Sequence, residues 1–114
     1  METQEDGLLV PAPVVVELDW MLRRVPGNRL FDAFLASVEA GSVDIADLHP
    51  ADYERVRDLC QQYEDLALGF VDASVVAVAE RLGHRTIATL DRRHFGVVRP
   101  AGGGHFELVP AGND

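Results

Sequence analysis

The sequence predicts an α/β fold: a mostly parallel, twisted sheet in a three-layer arrangement, with helices on both faces. Three observations carry that reading. Short runs rich in β-branched residues alternate with longer stretches of helical periodicity, in the order strand, helix, helix, strand, helix, helix, strand, which is the pattern of a parallel sheet. From Phe70 to Leu82 almost every side chain is small or apolar, so this helix is covered on most of its surface and not on one stripe alone. Directly after it, Thr86-Ile87-Ala88-Thr89-Leu90 reads as a short buried strand. Asp91 follows at the strand's carboxyl end, the edge at which open α/β sheets form ligand sites.

Taken in order, Gly7-Leu8-Leu9-Val10 is a short apolar strand, and Pro13 suits the first position of a helix running to about Arg24. Val14, Val15, Leu18, Met21 and Leu22 form its apolar face, while Asp19 and Arg23 point away. Pro26-Gly27-Asn28 is a turn, with Asn28 a candidate N-cap. Leu30, Phe31, Phe34, Leu35 and Val38 then mark an amphipathic helix that stops at Gly41. Val43-Asp44-Ile45-Ala46 alternates as a half-exposed strand does, and His49-Pro50 opens a helix that ends near Tyr63, with Asp52 and Glu54 in its first turn. Gly83 stops the central helix. Beyond Phe95, Val97-Val98 reads as a brief strand, residues 100–104 as a loop, and Phe106 to Val109 as a final edge strand.

Composition narrows the function. The 114 residues form a single domain, 47% hydrophobic, with no repeat and no linker. A formal charge of −9 excludes generic polyanion binding, so any nucleic-acid contact is local or bridged by a metal ion. All ten basic residues are arginine, which rules out lysine Schiff-base and general-base chemistry. It also sets aside a phospho-acceptor receiver domain, whose pattern calls for a lysine after a late strand. The single cysteine, Cys60, lies at helical spacing with Tyr53, Val56 and Tyr63 and reads as a small core residue. No run is long enough to span a bilayer, and residues 1–7 have no signal-peptide pattern. A soluble, cytoplasmic setting without membrane contact is the expectation.

Two acids bracket the central helix and strand: Asp72 in the first helical turn and Asp91, nineteen residues later (91 − 72), at the strand's end. Each has a plain structural reading, Asp72 as a complement to the helix dipole and Asp91 as the opening of a turn with Arg92 and Arg93. Together they can converge on one point. Glu17 falls beside Met21 and Val14 at the rim of its helix's buried arc, at about 100° per residue. It is either a boundary glutamate reaching solvent or Arg24, or an acid held by a partner, a metal or water. The histidines form no metal set: His49, His84 and His105 sit at boundaries or turns, and His94 reads as solvated or capping.

The stretches V-P-A-P-V-V-V-E-L-D-W-M-L-R-R, L-A-L-G-F-V-D-A-S-V-V-A-V-A-E-R-L-G and T-I-A-T-L-D-R-R-H-F resemble those of the PIN-domain ribonucleases, and more closely the VapC-type toxins of prokaryotic toxin–antitoxin modules. The likeness runs from about Gly7 to Pro110. It implies a metal-dependent endoribonuclease in which acidic residues hold Mg2+ or Mn2+. Glu17 matches the helix glutamate of that motif, Asp72 the aspartate opening D-A-S, and Asp91 the aspartate ending the T-L-D strand. Hard divalent ions take oxygen ligands, and clustered carboxylates repel one another until a cation joins them. Arg92 and Arg93 are candidates to steer phosphate. The resemblance further implies an RNA substrate, a VapB-like antitoxin and a homodimer.

One departure bears on this. Chains of that family begin with a central strand ending in Asp, followed by a helix; here that unit, roughly 20–30 residues, is expected to be missing, either because the sequence starts late or because the domain is N-terminally incomplete. Asp6 precedes a strand and is no substitute. The strands at residues 7–10 and 86–90 are therefore expected to present unpaired edges inside the sheet, and the chain to dimerise, swap or aggregate. The helix carrying Leu30, Phe31, Phe34 and Leu35 is either an apolar docking face or part of the chain's own core. The alternative to an active nuclease is a catalytically inactive remnant that binds an antitoxin or a second copy of itself.

Overall fold

The computed structural model describes residues 2–4, 7–27, 29–84, 86–88, 101 and 107–109. In chain order its elements are β1 (Glu2–Gln4), β2 (Gly7–Pro11), α1 (Ala12–Leu22), α2 (Leu30–Glu39), β3 (Val43–Ala46), α3 (Pro50–Gln62), α4 (Phe70–Leu82), β4 (Thr86–Ala88) and β5 (Glu107–Val109), with a 3-10 turn at Glu64–Leu66. The strands form one sheet in the order β3-β2-β1-β4-β5. β2 pairs with β3 and β4 with β5 in parallel, whereas β1 is antiparallel to both its neighbours. Strands β2 to β5 therefore all run one way, and the sheet is mostly parallel as the sequence predicts.

The centre of the sheet differs from expectation. β2 and β4 do not face open interior edges: Glu2-Thr3-Gln4 lies between them, with Glu2 opposite Leu9, Thr3 opposite Leu8, Gln4 opposite Gly7, and Glu2 also opposite Ile87. The chain pairs those edge N–H and C=O groups with its own first residues, because unpaired backbone costs more than a poor strand former. A three-residue polar segment carries no alternation, so the sequence pattern does not announce it.

Leu9 and Val10 are consecutive in β2 and both buried, at 8% and 0% exposure. Successive strand residues project to opposite faces, so β2 is covered on both. Val10 joins the main core with Val14, Val43, Val56, Leu59 and a stretch of α4 in which Ala73 to Ala79 are all buried. Packing against α1, α3 and β2 explains why α4 is apolar all round. Its end is a Schellman turn: the His84 N–H donates to the Ala79 carbonyl at 2.8 Å and Gly83, at φ 76°, donates to Glu80 at 3.1 Å. Leu59 has no exposed surface. Leu59→Ala is expected to cost about 2–5 kcal/mol, read as a lower urea midpoint at unchanged slope.

Other boundaries shift by a residue or two. α1 stops at Leu22, its last turn closed by the Arg23 N–H donating to Asp19 at 3.0 Å. Its buried side is Val14, with Val15 and Leu18 packed behind it; Met21, expected on that side, is about half exposed (51%). The cap of α2 is Arg29, and Asn28 lies outside the described residues. Phe31 and Phe34 stack at 5.9 Å, and Phe34 and Val38 pack on the core while Leu30 and Leu35 face out. Phe34 and Val38 thus belong to the chain's own core. Cys60 packs against the core, and β5 is an edge strand. Thr89, Leu90 and the proposed strand at Val97-Val98 lie outside the described residues.

Candidate active site

α4 delivers Asp72. Gly69 caps the helix without a side-chain hydrogen bond, so Asp72 stands third in the first turn, where the helix dipole favours a carboxylate. It is half-buried. The Ser74 hydroxyl donates to the Phe70 carbonyl at 2.7 Å, holding the turn around it.

Glu17 is central in α1 and exposed, so the carboxylate is on the solvent side of the rim on which sequence periodicity placed it. The helices that carry the two acids pack together. Pro13 and Val16 of α1 and Phe70 and Val71 of α4 line one groove of about 530 Å3, closed by Leu48 and Tyr53. The groove thus joins residues adjacent in sequence to Glu17 with residues adjacent to Asp72. Asp91, Arg92 and Arg93 lie outside the described residues. Among the described residues no group of three histidines, cysteines or acids is placed to hold a metal ion. Glu17 and Asp72 are both oxygen donors, the chemistry a hard cation needs.

The N-terminal turns of α3 grip both ends of α4. Tyr53 stacks on Phe70 at 6.2 Å, beside Asp72. At the far end Arg55 donates to both Glu80 oxygens, at 2.7 and 3.0 Å, and the Arg81 Nε donates to Asp52 at 3.0 Å. Glu80 also accepts from the Ala101 N–H at 2.7 Å. The hydrogen bond to Glu80 is the main cause that raises the Arg55 pKa above its ordinary value, outweighing the burial that lowers it. A cation with a raised pKa contributes stability at every pH below its unfolded value, so that contribution holds throughout the neutral range.

Sequence reading passed over Tyr53, Phe70 and Val16 as groove walls. Their signal is weak, since an apolar residue at a helix start reads equally as core. Among the described residues no helix is long and apolar enough to cross a membrane.

Comparison with known proteins bears on this arrangement. The family model described as PIN domain matches residues 1–99. Ribonuclease VapC26 of Mycobacterium tuberculosis is 36% identical over 110 residues, covering 96% of this chain and 82% of that protein.

Proposed function

The chain belongs to the PIN-domain family, and we propose that it is an endoribonuclease toxin of the VapC type, cleaving RNA phosphodiester bonds with Mg2+ or Mn2+ held by Glu17, Asp72 and Asp91. The observation that carries this reading is 36% identity to a ribonuclease along 96% of the chain, a span that includes all three positions. The exposure of Glu17, the place of Asp72 in the first turn of α4 and their all-oxygen chemistry support it. A divalent ion bound there would supply an activated water and neutralise charge on the scissile phosphate. The part of the chain is to hold oxygen donors in place and, through Arg92 and Arg93, to draw phosphate toward a protein of charge −9. A VapB-like antitoxin, a homodimer and a cytoplasmic location complete the proposal.

The test is cleavage of a single-stranded RNA by the purified chain. Cleavage is expected with Mg2+ or Mn2+ and lost in EDTA; cleavage that persists in EDTA refutes metal dependence.

The second reading, a non-catalytic module that binds an antitoxin or another copy, draws on β1. Because β1 runs against the other strands, its carboxyl end lies at the opposite edge of the sheet from theirs. It therefore places its amino end, Glu2, and not its carboxyl end at the edge where Asp91 is proposed to act. Calorimetry separates the two readings: the nuclease binds Mg2+ with a heat that Asp72→Asn removes, and the module shows no such heat.

A further inference from the structure

Trp20 is the single tryptophan of the chain, and the residue is about half exposed (52%). The Arg24 guanidinium lies over that ring, 4.4 Å from its centre, which holds both side chains in one orientation. Arg23 and Arg29, before and after Arg24 in the sequence, are also exposed. From Asp19 to Arg29 three arginines stand against one aspartate, in a chain that is otherwise strongly acidic. The only described carboxylate paired with any of the three is Asp19, 3.8 Å from Arg23 with both side chains open to water, a contact worth little. A packing role does not explain an exposed indole, and fold stability does not explain unneutralised arginines around it.

The placement connects this corner to the proposed site. Glu17, Trp20 and Arg24 are spaced i, i+3 and i+7, one side of α1 continued through its last turn. Val16, one turn before Trp20 on the same side, is a wall of the groove that reaches Phe70 and Val71. From Glu17 to Arg24 is about 10 Å along the helix axis, within a few nucleotides of a strand held at the carboxylates.

We propose that Trp20 and Arg24 form a binding subsite for single-stranded RNA, in which an unpaired base stacks on the indole while Arg24, Arg23 and Arg29 meet the adjoining phosphates. Flat aromatic faces combined with arginines suit single strands, because every base has a face to stack and every nucleotide a phosphate. Charge complementarity selects RNA over other occupants: the stretch from Asp19 to Arg29 is net positive in a chain of charge −9. The subsite deepens the ribonuclease reading and rests on it.

Because Trp20 is the lone tryptophan, its emission reports on this corner alone. The Asp72→Asn chain, without divalent ions, is titrated with a fluorescein-labelled 12-nucleotide single-stranded RNA for anisotropy and with the unlabelled RNA for Trp20 emission. Expected are quenching that tracks binding and about tenfold weaker binding in Trp20→Ala. Trp20→Phe is expected to bind nearly as the parent does, and Arg24→Ala to lower the salt dependence by about one phosphate. Both side chains are exposed, so these variants fold. RNA that binds by anisotropy with unchanged emission and unchanged affinity in Trp20→Ala overturns the subsite and leaves the ribonuclease reading standing. Emission that shifts with protein concentration alone assigns the face to a second copy and overturns it too, as does equal quenching by polyglutamate. Absence of RNA binding overturns the subsite, and the separate cleavage assay then decides whether the ribonuclease reading falls with it.

Discussion

Asp72→Asn is expected to reduce Mg2+-dependent RNA cleavage by more than about a hundredfold while moving stability by no more than about 1 kcal/mol. Loss of groups that merely orient metal ligands costs 10- to 100-fold, so loss of a ligand's charge costs more. The stability effect is small because two terms oppose. Asn removes a favourable first-turn charge at the start of α4, worth about 0.3–1 kcal/mol. It also relieves repulsion from any neighbouring carboxylate that lacks its ion. Cleavage rates and a denaturant titration on the same preparation separate chemistry from folding. Full activity in Asp72→Asn returns this residue to a helix-dipole role, and Asp91→Asn then becomes the decisive variant.

The elements that sequence reading placed well are those whose identity is written in local chemistry. Gly83 needs the left-handed conformation that ends α4, His49-Pro50 opens α3, and the unbroken apolar run of α4 is possible only in a helix that is covered all round. What local pattern does not encode is where long-range pairing goes. β1 is strand only because β2 and β4 flank it, and nothing in Glu-Thr-Gln says so. Met21 and Glu17 show a related limit. Helical periodicity orders residues around α1, but how far the neighbouring elements wrap it decides where burial stops, and that is a tertiary property. The first-turn place of Asp72 was legible because it opens a buried helix. The Tyr53–Phe70 wall beside it was not, since the two residues are seventeen apart (70 − 53) and meet only when α3 crosses α4.

A stability effect as large as that of a core truncation is expected at Asp52, which reads in sequence as an ordinary first-turn acid. Its side chain is buried, with the residue 3% exposed. Both oxygens accept from the Arg81 Nε at 3.0 Å, and Oδ2 also accepts the His49 N–H at 2.8 Å, closing the capping box of α3. Arg81 in turn donates from Nη2 to the Asp47 carbonyl at 3.1 Å, so one carboxylate ties together the loop before α3, the start of α3 and the end of α4. Asp52→Ala removes the cap and strands a guanidinium whose side chain is only 25% exposed. Breaking a buried pair from one side costs about 3–5 kcal/mol; with Arg81 able to reach some water, about 3 is the expectation here. Asp52→Asn keeps an acceptor for His49 and should lose roughly half as much. In the double variant with Arg81→Ala the losses should fall short of additivity by about 0.5–3 kcal/mol, because the second substitution removes the stranded charge. An Asp52→Ala chain within 1 kcal/mol of the parent by urea denaturation refutes the clamp. Where the variant is still folded its cleavage rate should match the parent's, since Asp52 anchors the end of α4 opposite to the turn that carries Asp72.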